Sequence, residues 1–389
     1  MRGACGVDID KDRIFLSFAV LKKRVPVFVG ESQIVNGLGE GDIIKFLQDN
    51  VEILAREIAA AQEKYSLQIE KLFLKLPAGL EKMNLVEEVV VLKRAKKINP
   101  HDIVFIKKYL EDNTLDWDDY CIHHFPLDFG VEGKAFTNLP VGLWARRIRV
   151  KSLLITVKDR LRMQIEDIFN NYNVIFGGFV SSGVSDYSCV FSGGDKNGVQ
   201  AVVRVGYDGS FLTIVEKGVI RSSESFCFGL KYIIEHIAKS FSLPIALADE
   251  IFTRYISFQS ERSSSGTFSP GKEISVKDGD IYINLSMDSV NNIVMNFVQE
   301  NISTIISRAD YANLPEISFS FLGRLNQKEE FIDFLKTFVK HQITPLPQAC
   351  SVSSSWGCVR YGVLKFLENR VQPKVSLLDR ISKIYKDYF

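Results

Sequence analysis

The sequence has little that would mark a metalloprotein, a secreted disulfide scaffold or a chain that spans a membrane. Its six cysteines, Cys5, Cys121, Cys189, Cys227, Cys350 and Cys358, are scattered without CxxC spacing. That argues against a zinc site and for reduced thiols in a cytosolic compartment. Histidine is scarce, and the adjacent His123 and His124 would point to opposite faces of a strand, so they read as ordinary residues rather than a ligand pair. No apolar run reaches the roughly 20 residues a spanning helix needs, and no signal-peptide pattern opens the chain, so a cytoplasmic protein is expected. The net charge of +1 gives no general attraction to nucleic acid; any basic surface has to be local.

What the chain does have is size and two matching hairpins. At 389 residues, 46% hydrophobic and 24% charged, it is long enough for two domains with large cores. The stretch Ala201–Ile220 reads as strand, turn, strand, turn, strand, with its first turn at Gly206-Tyr207-Asp208-Gly209-Ser210 and its second at Lys217-Gly218. Glycine in such a turn lets successive backbone N–H groups face one anion. Near the start, Cys5-Gly6-Val7-Asp8-Ile9-Asp10-Lys11-Asp12-Arg13 opens the same shape again and is followed by alternating strands through Val29. Two such hairpins about two hundred residues apart point to related halves facing each other across a cleft.

Between them, Asp42–Ala61 has helical apolar spacing and Phe73-Leu74-Lys75-Leu76-Pro77 reads as a strand ended by proline. From Ala78 to Asn173 the pattern is that of a self-contained α/β insert. Within it the basic, alternating run Ala145–Lys151 is either a solvated edge strand that discourages aberrant pairing or a contact for a partner's acidic surface. Gly193–Gly198 is the best interdomain linker, and Asp288–Ala309 is a long amphipathic helix.

Gly6-Val7-Asp8-Ile9 and the later hairpin resemble the phosphate hairpins of the actin and sugar-kinase superfamily. The order of the other segments, among them Phe226–Lys231 with Ala248–Tyr255 and Ile317–Arg324, resembles that of the FtsA family of bacterial cell-division proteins. The resemblance implies an α/β, two-domain actin-like fold with an inserted α/β subdomain 1C of SHS2 type. Its divisions would be 1–77 with 174–192 (1A), 78–173 (1C), 198–255 with 316–367 (2A), 256–315 (2B), a short linker 368–375 and a terminal helix 376–389. It also implies a nucleotide cleft for ATP with magnesium, drawn onto Asp8, Lys11, Gly206, Asp208, Gly209, Ser210, Asp249, Gly323 and Arg324, with no catalytic residue and no other metal ligand assigned.

Several residues depart from that pattern. Asp10 stands where the first hairpin usually carries glycine, and Arg204 stands where the second usually opens with aspartate. Tyr207 and Asp208 replace glycines, Phe252 replaces a lysine that frames the nucleoside, and only Gly323 survives of the adenosine turn. Arg204 and Arg324 either contact phosphates themselves or fill the cleft by pairing with Asp10 or Asp208. Weak nucleotide binding and negligible turnover are therefore expected.

The stretch Ser376–Phe389 puts Leu377, Leu378, Ile381, Ile384, Tyr385, Tyr388 and Phe389 on one helical face and Arg380, Lys383 and Lys386 on the other. At about 20 Å it is too short to cross a bilayer and is suited to lie in the interface, or to dock on the protein itself. The implied protein is a cell-division scaffold at the inner face of the cytoplasmic membrane, at the septum. Its partners would be itself as a filament, an FtsZ-like division protein, inner-membrane lipids and, through the insert, other division proteins; none is nucleic acid. The alternatives are a PilM-like component of a type IV pilus or secretion machine, or an active ATPase or kinase on the same frame.

Overall fold

A computed structural model describes residues 1–10, 13–22, 25–35, 43–77, 79–136, 139–172, 175–191, 198–216, 218–258, 273–278, 281–310, 317–328, 330–346 and 353–371. Lys11, the linker at 193–197, the start of the linker to the terminal helix from 372 on, and the helix at 376–389 lie outside the described residues.

The chain begins with β1 (Arg2–Asp10), β2 (Arg13–Lys22), β3 (Val25–Val35), α1 (Ile43–Tyr65) and β4 (Gln68–Lys75). The insert follows with β5 (Lys82–Lys97), α2 (Pro100–Thr114), β6 (Asp119–Val131), β7 (Lys134–Phe136), β8 (Trp144–Lys158) and α3 (Asp159–Asn171). Next come β9 (Phe176–Val180), α4 (Ser182–Val190), β10 (Val199–Val205), β11 (Ser210–Glu216), β12 (Val219–Phe226), α5 (Leu230–Phe241) and α6 (Ile245–Tyr255). The last elements are β13 (Glu273–Asp278), β14 (Ile281–Ser286), α7 (Met287–Asp310), β15 (Ile317–Gly323), α8 (Phe331–Lys336), β16 (Gln342–Ile343) and α9 (Ser355–Val371).

Two five-stranded sheets share one plan. The first has the order β3-β2-β1-β4-β9 and the second β12-β11-β10-β15-β16. In each, three antiparallel strands form a meander, and two further strands join the side of the first strand in parallel. Both faces of these sheets are covered, which is why β10 reads as an unbroken buried run instead of alternating. In α1 the buried residues Leu47, Val51, Leu54, Ile58 and Ala61 recur every three or four positions and close one face of the first sheet. The same rule places Val290, Val294, Val298, Ile302 and Ile305 of α7 in the core of the second.

The insert forms its own four-stranded sheet, β5-β8-β6-β7. Its helix α2 is started by a capping box between Asn99 and Asp102 with Pro100 in the first turn. Helix α2 covers one face through Ile103, Ile106 and Leu110. Strand β8 lies between β5 and β6, so within Ala145–Lys151 the part Ile148–Lys151 is paired on both sides and is not the edge that its charge suggested, while Ala145–Arg147 is paired to β5 alone. A strand's position in a sheet depends on pairings distant in sequence, which local charge cannot report.

Two other expectations are corrected. The resemblance puts residues 355–367 in the second half, but α9 packs on the first sheet, where Cys358, Val359 and Val363 join that sheet's core. Spacing also failed for the thiols: Cys5, Cys121, Cys227 and Cys358 are free, whereas Cys189 is disulfide-bonded. Distance along the chain does not say which cysteines meet in space.

Helix α9 reaches β1 because Gly6 has no side chain. A Cβ there would collide with the Ser355 carbonyl oxygen and come within 2.8 Å of the Val359 backbone nitrogen. The helix start is further tied to the sheet by Ser17 Oγ and Ser355 Oγ at 2.7 Å. Gly6→Ala is expected to lower stability by about 1–3 kcal/mol, the usual cost of overpacking, read as a drop in the urea midpoint. An unchanged midpoint would mean that α9 is not seated on β1.

Candidate functional site

The shared plan puts Asp8 of β1 and Arg204 of β10 at corresponding places in the two halves, each near the end of a central strand that faces the cleft. Opposite charges at matching positions meet. Arg204 Nη2 lies 3.0 Å from Asp8 Oδ2, and Nη1 lies 3.2 Å from Asp186 Oδ1 on α4. Lys75, near the end of β4, completes the set with its Nζ 3.4 Å from Asp8 and 3.1 Å from Asp186. Ser354, just ahead of α9, donates its backbone N–H to Asp8 (3.0 Å) and accepts at Oγ from Lys75 (2.9 Å) and Arg204 (3.0 Å).

All five residues are buried, none more than 5% exposed. Two carboxylates face one ammonium and one guanidinium, so the cluster is neutral. Burial pushes the Asp8 carboxyl up, but Arg204, Lys75 and the Ser354 N–H outweigh it and hold the group well below the usual carboxylate range. Burial works against the Arg204 cation, and Asp8, Asp186 and Asp10 reverse that, so it stays charged. Nearby, burial pushes Glu81 up to about 7, although its carboxylate accepts the Ser182 N–H at the start of α4 (3.2 Å).

A second bridge joins the turns themselves. Asp10 Oδ1 accepts the backbone N–H of Tyr207 (3.3 Å), and Arg324 Nε donates to Asp10 Oδ2 (3.2 Å). Arg324 Nη2 donates to the Asp10 carbonyl (3.2 Å), and the guanidinium lies 5.8 Å from the centre of the Tyr207 ring. Gly323, with φ +114°, is what brings Arg324 this close: a side chain there would collide with the Val205 carbonyl. The carboxylate of the first hairpin thus occupies the anion position of the second hairpin's turn.

Around these bridges is a cavity of about 350 Å³ lined by Asp8, Asp10, Lys75, Arg204, Gly206, Tyr207, Asp208 and Gly209, together with Ser182, Phe226 and Cys227. Four of the expected nucleotide residues, Asp8, Gly206, Asp208 and Gly209, meet here. Arg324 and Gly323 act one step back, through Asp10. Ser210 is buried and donates to the Phe228 carbonyl (2.5 Å), which closes the turn. Asp249 is exposed on α6, away from the cavity lining.

The adjacent Phe252 is buried, and Lys328 reaches it from a later segment. Its ammonium lies 5.0 Å from the Phe252 ring centre and donates to the carbonyls of Phe252 and Thr253. Sequence reasoning missed Lys75, Asp186 and Ser354. The one signal was a lysine inside the apolar run Phe73–Leu76, since a charge placed there has to be paired.

These residues do not fit a polyphosphate with magnesium. The Tyr207 amide is already satisfied by Asp10, Asp208 adds a third carboxylate to the lining beside those of Asp8 and Asp10, and Asp8 is fully engaged by two cations and an N–H. Among the described residues, the one group of acids spaced to share a cation, Asp116, Asp118 and Asp119, is already ion-paired to Lys82 and Lys158.

No protein-family profile and no curated protein matches this sequence. Solved structures do match in shape. One is the PilM-PilN type IV pilus biogenesis complex, at 13% identity and TM-score 0.57, covering 95% of this chain and 99% of that one. Others are the ethanolamine utilization protein EutJ from Carboxydothermus hydrogenoformans (12%, 0.51, covering 94% and 89%) and MreB5 of Spiroplasma citri bound to ADP (10%, 0.50, covering 97% and 99%). At these identities the likeness establishes the fold. The chain has the two-domain actin-like ATPase fold.

Arg204→Met leaves two buried carboxylates with one ammonium and is expected to cost about 3–5 kcal/mol at neutral pH. The sign follows from Asp8. Its folded pKa is depressed, so its contribution is complete above the ordinary aspartate range of roughly 3.9 and is lost as pH falls below it. The deficit of Arg204→Met measured by urea unfolding should therefore shrink below about pH 4. An equal deficit at every pH would remove Asp8 from the account.

Proposed function

We propose that this protein is an actin-like scaffold whose cleft is held shut by its own charges, without nucleotide turnover. The observation that carries the reading is Asp10 seated on the Tyr207 amide and clamped by Arg324. In an actin-like fold, a ligand spanning the two hairpins would tie the halves together; here the halves are already tied. In the finer reading the scaffold self-associates and tethers an FtsZ-type division filament to the inner face of the cytoplasmic membrane. The amphipathic residues 376–389 would provide the membrane contact and the insert would meet further division proteins. A second reading, a cytoplasmic component of a pilus or secretion machine, is supported by the likeness in shape to PilM over nearly the full length of both chains.

Titration calorimetry of the full chain with magnesium and ATP tests the cleft. Wild type is expected to bind more weakly than about 1 mM, the scale of a few contacts. Asp10→Gly, which frees the Tyr207 amide and removes a carboxylate, should tighten binding about tenfold, the effect of one recovered charge-assisted bond. Micromolar binding and turnover by wild type would replace the scaffold with an ATPase.

Membrane tethering is tested by sedimentation with anionic vesicles. The full chain should pellet and a chain ending at Val375 should stay in solution. If neither form pellets, or if the shortened chain unfolds, the tethering reading fails.

A further inference from the structure

Toward the body of the protein the insert's sheet is covered on both faces, with Leu153, Ile155 and Val157 of β8 buried in the first sheet's core, but its outer part is covered on one face only. Helix α2 packs on the face formed by Val90, Leu92, Ile148 and Val150. On the other face cross-strand pairing sets Val91 beside Arg147 and Val89 beside Arg149. Val89 and Val91 are 49% and 55% exposed, and both arginines are exposed. Trp144, 68% exposed, stands beside Lys97 at the end of the same strands.

Arg149 has Glu87 at 3.4 Å. No acidic group among the described residues pairs with Arg94, Lys97, Arg146 or Arg147. Arg149 lies where β8 is paired on both sides and so does not protect an edge; it stands beside Glu87, whereas Arg147, paired only to β5, has no acidic group paired with it among the described residues.

We propose that this open face of the insert is a docking surface for an acidic, partly apolar segment of another protein. Charge complementarity identifies the occupant: forked guanidiniums two residues apart on one strand suit carboxylates, and the valines between them suit short aliphatic side chains. A lipid surface fits less well. Val89 and Val91 are short side chains on a flat sheet, overreached by the arginines, and cannot dip into a bilayer as a protruding aromatic loop would. Stacked nucleic-acid bases would need aromatic rings at the centre of the face, where there are valines and Gly130. This surface is separate from the cleft, and the inference stands whether or not nucleotide binds.

The test uses the full chain and a fluorescein-labelled peptide of alternating glutamate and leucine, followed by fluorescence anisotropy. A peptide with glutamine for glutamate and vesicles containing phosphatidylglycerol serve as competing probes. The double variant Arg147→Glu with Arg149→Glu should weaken the acidic peptide roughly tenfold or more. Lys239→Glu with Lys336→Glu, the same charge change on exposed residues of α5 and α8, should leave binding unchanged. Added salt should weaken binding, and the glutamine peptide should not bind.

The proposal is overturned if the acidic peptide does not bind. It is equally overturned if both double variants bind like wild type, or if the reversal abolishes vesicle binding or self-association while the peptide is unaffected. A near-ultraviolet circular dichroism spectrum matching wild type is required of the reversal variant; at these exposed positions it is expected to be kept.

Discussion

Two opposite charges buried at matching positions of two matching sheets set the geometry of this protein. Asp8 and Arg204 lie where the halves face each other, and both are buried. A charge taken out of water must be paired, or the fold loses several kcal/mol. The pairing is the contact between the halves, and Lys75, Asp186 and Ser354 complete it from β4, α4 and the start of α9. Those five groups link both sheets and the returning helix to one another.

The second consequence concerns what the cleft can do. A turn that offers a backbone N–H to an anion is neutral as to which anion it receives. Here the anion is Asp10, attached to the opposite half and held by Arg324. An internal ligand is present at a high effective concentration and is not consumed, so a dissolved competitor must displace it and also bring charge beside Asp208. In the proposed reading the chain is a fixed frame. A fixed frame suits a scaffold better than a cycle of binding and release.

Much of the frame was legible in the sequence. The two hairpins could be read because glycine and acidic turns interrupt apolar runs at the same places in each half, and the long helices because their buried residues recur at helical spacing. The departures at Asp10 and Arg204 could also be read, though not their outcome: whether an arginine meets a phosphate or an aspartate depends on what lies opposite in space. Lys75, Asp186 and Ser354 come from three distant segments, and no local pattern joins them. The central place of β8 and the return of α9 to the first sheet were hidden for the same reason, since pairings between distant residues decide both. Gly6 shows the limit well: it reads as one residue of a turn motif, yet its lack of a side chain is what admits a helix from the far end of the chain.

The most direct test of a self-closed cleft is hydrogen exchange at the backbone amide of Tyr207, followed in the free protein and with magnesium and ATP. If Asp10 already accepts that N–H, the amide is protected without nucleotide, its protection is the same with it, and Asp10→Gly exposes it. Rapid exchange in the free protein that slows when nucleotide is added would contradict the account, because it would show a turn still waiting for a phosphate.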